Sequence, residues 1–226
     1  MKKTCSVSVV TPLYNDVLTL ELALRKVDAV LAKRHISYEI ICIDDASRDG
    51  SLSVAKKLTK KLPHLRIFTH TINLGIARTY RELYAKANGE RVVLFSLDGE
   101  WDPSDVGRLL DRNEDIVIGC RMHKQYSLWR AFVSYTYNVL MQALFGVSTR
   151  DAGSIKVFRK EVLQRIPIIS VGVFDEAERV IRAVRAGYSL GYIPISHYKK
   201  VKQKRGIRIG HVIEAVIDMV RVYFSL

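Results

Sequence analysis

Two carboxylates close an apolar run in Arg91-Val92-Val93-Leu94-Phe95-Ser96-Leu97-Asp98-Gly99-Glu100-Trp101-Asp102-Pro103. In an extended chain, residues two apart point the same way, so Asp98 and Glu100 set like charges side by side. Such a pair costs stability unless something positive sits between the two groups, and a divalent cation with oxygen ligands answers that need. Asp98 and Glu100 are therefore a candidate metal pair; the alternative is an acidic loop with a helix cap. Asp102 needs no chemistry, because Asp102-Pro103-Ser104-Asp105 reads as N-cap, proline at N1 and an acid at N3.

The elements that must position these acids repeat along the first half. Ser6 to Thr11 is a β-branched strand stopped by Pro12, and a helix capped by Asn15 or Asp16 follows to about Lys33, with Leu18, Leu20, Leu22, Leu24, Val27, Val30 and Leu31 as its apolar surface. Tyr38 to Ile43 is a second buried strand that also ends in acids, Asp44 and Asp45. A helix opens at Asp49 or Ser51 and runs to about Leu62, before Pro63. Leu65 to Thr69 is a third strand, Asn73-Leu74-Gly75 a turn, and Ile76 to Ala87 a helix closed by Asn88-Gly89. Val92 to Leu97 is the fourth strand, apolar enough to be covered on both faces. This alternation predicts right-handed βαβ units, a mainly parallel sheet, and ligands outside the carboxyl ends of the strands. Pro12, Tyr14, Asp16, Asp44, Asp45, Asn73, Asp98 and Glu100 all fall at those ends. No glycine-rich dinucleotide fingerprint follows the first strand and no phosphate-binding P-loop occurs, which argues against a dehydrogenase or an ATPase.

The chain has 226 residues, 48% hydrophobic and 26% charged, enough for one large domain with a full core. Its formal net charge of +13 favours anionic partners: nucleic acid, nucleotide phosphates or an anionic membrane surface. Acids at several strand ends would repel a nucleic-acid backbone, so no nucleic-acid partner is expected. Cys5, Cys42 and Cys120 have no metal or redox spacing; Cys42 and Cys120 read as buried thiols of a reducing compartment. The N-terminus leads straight into a strand, without the pattern of a signal peptide.

The second half changes character. Asp115 to Cys120 is a strand leading into Arg121. Ser127 to Val147 is a long aromatic helix, interrupted by Arg130, Ser134, Thr136, Asn138 and Gln142, so it does not read as a membrane span. It is either a core helix or one lying at a lipid interface on Trp129, Tyr135 and Tyr137. A strand from Ile155 to Phe158, a helix to about Arg165, a helix from Phe174 to Ala186 carrying Asp175, Glu176 and Glu178, and a strand from Tyr188 to Ile195 follow. Six of the ten residues from Lys199 to Arg208 are basic, which makes either a solvated loop or a cationic loop that meets phosphate. The chain closes in an amphipathic helix from His211, with Val212, Ile213, Val216, Ile217, Val220, Tyr223 and Phe224 on its apolar side. That helix either packs on the domain or lies on a membrane surface.

Taken together, VVTPLYND, IDDASRDGS, NLG and the Asp-Gly-Glu after a buried strand resemble family 2 glycosyltransferases of the glycosyltransferase-A fold. DIVIGCR, DAGSIKVFR and GVFDEAERVIRAVRAGYSLGYIPISHY resemble the dolichol-phosphate mannose synthase branch, which includes polyprenyl-phosphate glycosyltransferases. The resemblance covers roughly residues 6 to 210. It implies an α/β, Rossmann-like catalytic domain over 1–210 with a nucleotide-binding half at 1–103 and an acceptor half at 104–210, followed by the helix at 211–226. It implies donor contacts from Pro12, Tyr14, Asp16, Ile43, Asp45, Asn73 and Asp98, with Asp45 at the position that contacts the base. It implies Mn2+ or Mg2+ on Asp98 and Glu100, where the family has aspartate at the second place. Arg121 and Arg130 match arginines that hold the acceptor phosphate or donor diphosphate. Lys200, with Lys202, falls in the mobile loop where the family has arginine; lysine keeps the charge and loses the bidentate fork.

The implied reaction is inverting transfer of a sugar from a UDP- or GDP-sugar to a lipid phosphate, with Asp98, Glu100, Arg121 and Lys200 as its principal groups. A lipid phosphate is already anionic and needs no general base. A hydroxyl acceptor does, and Asp175, Glu176 or Glu178 could serve, unless they are spent on salt bridges to Arg179 and Arg182. Transfer to a glycan hydroxyl and an inactive, nucleotide-sugar-binding membrane scaffold are the alternatives. The expected location is cytoplasmic, peripheral at a membrane's cytoplasmic face, with a membrane-spanning partner a further expectation.

Overall fold

The computed structural model describes residues 5–122, 128–147, 151, 153–198 and 209–226; the side chains of 128–133, 209 and 211 lie outside the description. The order is β1 (Val7–Leu13), α1 (Leu20–Ala32), β2 (Tyr38–Asp44), α2 (Ser51–Leu58), β3 (Leu65–Thr69), α3 (Ile76–Lys86), β4 (Arg91–Leu94), α4 (Asp105–Leu110), β5 (Ile116–Arg121), α5 (Leu128–Phe145), β6 (Lys156–Arg159), α6 (Lys160–Arg165), α7 (Asp175–Arg185), β7 (Leu190–Ile195) and α8 (Ile209–Phe224).

The strands form one sheet in the order β3-β2-β1-β4-β6-β5-β7. β1 to β4 are parallel, as is β5 with β7, and β6 runs antiparallel between β4 and β5. Successive side chains go to opposite faces. Val9, Cys42, Val93, Val117 and Val157 join the core under α1, α2 and α4. Val10, Ile41, Val92, Ile118 and Phe158 join the second core under α3, α5, α7 and α8. A sheet filled on both faces explains why its strands are apolar without alternation.

The chain moves outward from β1 through β2 to β3 and returns to place β4 on the other side of β1. The sheet therefore has its topological switch point between β1 and β4, where α/β proteins bind ligands. The Thr19 hydroxyl donates to Leu97 O at 2.5 Å and ties the two strand ends together.

Several boundaries differ from expectation. α4 begins at Asp105, two residues late, because residues 102–104 form a turn in which Asp102 accepts the Ser104 N–H at 2.9 Å. Leu18 and Leu22 are exposed, while Leu20, Leu24, Val27 and Leu31 carry the packing of α1. Cys42 is buried and burial pushes its thiol pKa up, but Cys120 is only half-buried. α8 buries Met219 and Val222 and leaves the side built from Val212, Ile213, Val216, Ile217, Val220, Tyr223 and Phe224 exposed. Among the described residues, no helix is long and apolar enough to cross a membrane.

Gly89 illustrates how closely the sheet is built. Its N–H donates to Ser8 Oγ at 2.7 Å, and a Cβ there would stand 2.3 Å from Ser8 N. Backbone cannot yield as a side chain can, so Gly89→Ala is expected to destabilise the fold by about 1–3 kcal/mol, read from urea unfolding.

Candidate active site at the switch point

The loops after β1 and β2 are laced by side-chain to backbone bonds. Asn15, at φ 56, donates its N–H to Ser47 Oγ at 2.9 Å, and its Oδ1 accepts the Arg48 N–H at 2.7 Å. The Asp16 N–H reaches Ser51 Oγ at 2.8 Å, and the Val17 N–H reaches Asp49 Oδ2 at 3.2 Å. The short polar residues of ASRDGS thus hold the two loops together and leave Tyr14 and Asp16 half-buried beside β1. Pro12 is half-buried just below. Ile43 is fully buried in the core under α3, so its part there is packing.

Asp45 lies at the centre of the next contact. Its carboxylate accepts the Leu74 N–H at 2.8 Å, the Gly75 N–H at 3.0 Å and a bond from His70 Nδ1 at 2.8 Å. Its carbonyl accepts from Asn73 Nδ2 at 3.1 Å. Asp45 therefore builds the loop after β3, and both its oxygens already have protein donors. Its neighbour Asp44, also buried, gives Oδ2 to the Ser47 N–H at 3.1 Å, while Oδ1 has no hydrogen-bond partner among the described residues. Both acids stand at a strand end in the sequence, and only geometry separates their roles.

The acid pair sits where the β4 chain leaves the sheet. Gly99, at φ 80, turns the chain so that the Glu100 N–H meets Asp98 Oδ1 at 3.2 Å. The chain leaving β7 then crosses this corner. Trp101 and His197 pair as an antiparallel bridge, and the Tyr198 N–H donates to Glu100 O at 2.9 Å. The Tyr198 hydroxyl donates to Asp102 Oδ2 at 3.0 Å. His197 Nε2 lies 3.7 Å from Glu100 Oε2. Burial and the nearby Arg121 charge lower the His197 pKa, against the pull of Glu100 and Asp151. His197 was invisible to sequence reasoning, since only the course of β7 brings it to Glu100.

Arg121 reaches the same corner from β5. Its Nε lies 2.8 Å and 2.9 Å from the two oxygens of Asp151, its terminal nitrogen also bonds Asp151, and its Cζ lies 5.4 Å from the Trp101 ring centroid. A guanidinium held by carboxylate and aromatic ring is fixed in direction. The Arg130 side chain and the basic run with Lys200 and Lys202 lie outside the described residues.

A buried polar cluster lies at the start of α7. Lys156 Nζ donates to Glu176 Oε2 at 2.8 Å, the Tyr84 hydroxyl donates to the same oxygen at 2.9 Å, and Arg179 stacks 5.0 Å from the Tyr84 centroid. Glu178 accepts the N–H groups of Ile169 and Ser170 and the Arg182 Nε at 2.6 Å. Glu176 and Glu178 are thus spent on packing, partly through the expected Arg182 pair. Asp175 differs. Arg81 Nε approaches it at 3.4 Å, but neither carboxylate oxygen makes a hydrogen bond among the described residues, and burial followed by the Glu176 charge raises its pKa to about 7. Tyr80 links cluster and corner: burial, then the charges of Glu176, Asp98 and Asp175, push its pKa up.

The described residues contain no group of three His, Cys, Asp or Glu able to cage a metal. Mg2+ and comparable hard cations commonly take one or two carboxylates and complete their shell with substrate phosphate and water, so a carboxylate pair at a strand end fits that requirement.

Comparison with known proteins agrees with this architecture. The chain is 24% identical over 235 residues to the dodecaprenyl-phosphate galacturonate synthase of Rhizobium johnstonii, covering 99% of this chain and 68% of that protein. It is 26% identical over 163 residues to the undecaprenyl-phosphate 4-deoxy-4-formamido-L-arabinose transferase of Pseudomonas savastanoi, covering 70% of this chain and 48% of that protein. The chain thus spans about half the length of the latter relative. Among solved structures, a mannosyltransferase from Pyrobaculum calidifontis in complex with GDP-Man and Mn2+ superposes with a TM-score of 0.64 at 22% identity, covering 97% of this chain and 65% of that one. The glucosyl-3-phosphoglycerate synthase of Mycobacterium tuberculosis, in complex with Mn2+, UDP and phosphoglyceric acid, superposes with a TM-score of 0.75 at 15% identity, covering 98% and 80%. These likenesses establish the fold, the α/β glycosyltransferase-A architecture. The model of the family described as "Glycosyl transferase family 2" matches residues 8–167, most of the sheet and its acid corner, and the chain belongs to that family.

Proposed function

We propose that this chain transfers a sugar, with inversion, from a nucleoside-diphosphate sugar (UDP- or GDP-linked) to a lipid phosphate of the polyprenyl type. Family membership and the switch-point loops around Tyr14, Asp16 and Asn73 support the donor. Asp98 and Glu100 would hold Mn2+ or Mg2+, which when bound supplies positive charge to the diphosphate leaving group. Arg121, Arg130, Lys200 and Lys202 supply the cationic field in which an anionic acceptor can approach an anionic donor. A phosphate oxygen attacks without needing a base.

The observation that carries the lipid acceptor is the apolar face of α8. Seven apolar side chains stand exposed along it, directly after the basic run, and Tyr223 meets α5 through Phe145 with centroids 6.2 Å apart. α5 adds exposed Tyr135, Val139 and Leu140. An apolar face next to a cationic segment suits the surface of an anionic bilayer, where a lipid phosphate resides. The named activities of the two polyprenyl-phosphate relatives support the same acceptor class.

One observation favours a second reading, transfer to a hydroxyl. Asp175 carries a carboxyl with a pKa raised to about 7, which suits a general base, and Tyr80 feels the charges of both Asp98 and Asp175. Vesicles containing polyprenyl phosphate and anionic lipid, mixed with labelled nucleotide sugars and Mn2+ or Mg2+, are expected to yield lipid-linked sugar. Asp175→Asn should keep that transfer within about threefold, since no base is used. Transfer to soluble hydroxyl acceptors alone, lost in Asp175→Asn and rising through about pH 7, would establish the second reading.

A further inference from the structure

We propose that His70 is a positioning residue of the donor site, an imidazolium that fixes Asp45 and through it the Asn73–Gly75 loop, so that this loop is formed at acidic to neutral pH and loosened in base. The inference rests on the reading that the ends of β1, β2 and β3 receive the donor nucleotide.

The His70 ring stands between two carboxylates. The His70 N–H donates to Asp44 O at 2.9 Å, which extends the β2–β3 pairing by one step and fixes where the ring stands. Nδ1 then lies 2.8 Å from Asp45 Oδ1, and Nε2 lies 3.1 Å from Glu82 Oε2 on α3. An ionised carboxylate only accepts, and a neutral imidazole has one donor and one acceptor. Both contacts are hydrogen bonds only when both ring nitrogens carry protons. A neutral ring would turn a lone pair toward one carboxylate or the other.

Asp45 in turn holds the loop after β3. The same oxygen that meets His70 accepts the Leu74 N–H, the other accepts the Gly75 N–H, and the Asp45 carbonyl accepts from Asn73. Gly75, at φ 84, allows this reversal just before α3 and stands at its N-cap. The segment from His70 to Gly75 is thus closed on one carboxylate, and His70 restrains that carboxylate from the side. The charged groups facing the ring are Asp45 at the end of β2 and Glu82 on α3. Arg78, 3.1 Å from the other Glu82 oxygen, holds Glu82 ionised.

Burial works against the imidazolium. The bonds and charges of Asp45 and Glu82 outweigh it and raise the His70 pKa above its ordinary 6.5. A histidine raised in this way contributes fully below its unfolded pKa, and the contribution is lost as pH rises through the folded value. The ring touches no reacting atom in this reading, so its loss should appear in the donor KM and not in kcat.

The test follows amide exchange protection at Leu74 and Gly75 by NMR in the whole protein, from about pH 5.5 to about pH 9, alongside the His70 ring nitrogens. Protection is expected to fall by about tenfold in step with ring deprotonation, the weight of roughly one charge-assisted hydrogen bond. His70→Gln donates one such bond at most, so its protection should be low and independent of pH. Its donor KM should rise about five- to tenfold with kcat within about twofold. Glu82→Gln keeps the ring and removes one charge, so the midpoint should move to lower pH even if His70→Gln folds poorly. Ring titration that leaves Leu74 and Gly75 unchanged would overturn the proposal, as would a wild-type pH curve in His70→Gln. The expected exchange pattern, with no nucleoside diphosphate bound at any pH by calorimetry, would uphold the clamp and overturn the donor assignment instead.

Discussion

Asp98→Ala is expected to lower kcat/KM for sugar transfer by about 10²- to 10⁴-fold, the several kcal/mol of transition-state charge stabilisation that a bound metal provides. The protein should still fold, because Asp98 is only half-buried and the bond it accepts from the Glu100 N–H is a local turn contact. The metal-dependent part of donor binding should vanish with the activity. Calorimetry with a nucleoside diphosphate, with Mn2+ and then with a chelator, separates this from a general loss of affinity. Asp102→Asn is the companion variant, since Asp102 is bonded to the Ser104 N–H and the Tyr198 hydroxyl. If Asp98→Ala kept its rate within about tenfold, the acid pair would be a turn and not a metal corner.

Lys156→Ala should have the largest effect on stability, about 3–5 kcal/mol, because it leaves Glu176 as a buried charge without its closest cation. The Lys156 side chain is 1% exposed and the Glu176 side chain 7%, so water cannot take the lost partner's place without opening the core. Arg179, with its Nε 3.8 Å from Glu176, is too far to compensate by a hydrogen bond. Removing both charges, in Lys156→Met with Glu176→Gln, should recover most of the loss, since a missing pair is cheaper than a broken one. Urea unfolding of the two variants beside the parent protein measures this directly. A loss under about 1 kcal/mol for Lys156→Ala would mean that Glu176 simply takes up a proton.

Much of the fold was legible because its signals are local. The apolar runs that became β1, β2 and β4, the Pro63 break and the Asn88-Gly89 close are each written within a few residues. The direction of β6 was not, because KVFR reads the same in a parallel or an antiparallel strand. Only its place between β4 and β5 turns it round. The side of α8 that packs was hidden for a different reason. Apolar residues cover much of that helix, and Met219 and Val222 were chosen by the shape of the domain beneath. At the site, the acids at strand ends stood out from the sequence. What each carboxylate touches did not, because His70 to Asp45, Lys156 to Glu176 and His197 to Glu100 are contacts between separate elements.

The strap of His197 and Tyr198 across Glu100, Trp101 and Asp102 also bears on the order in which the protein is made. β1 to β4 are made before β5 to β7 and can pair with one another, so that side of the sheet can form early. The acid corner cannot be finished then, because its bridge and the bond to the Glu100 carbonyl come from the far end of β7. A nascent chain stalled before Ser196 would hold the loops after β1 and β2 in place with an open corner. The step that completes the corner thus waits for β7, after every other strand of the sheet has been made.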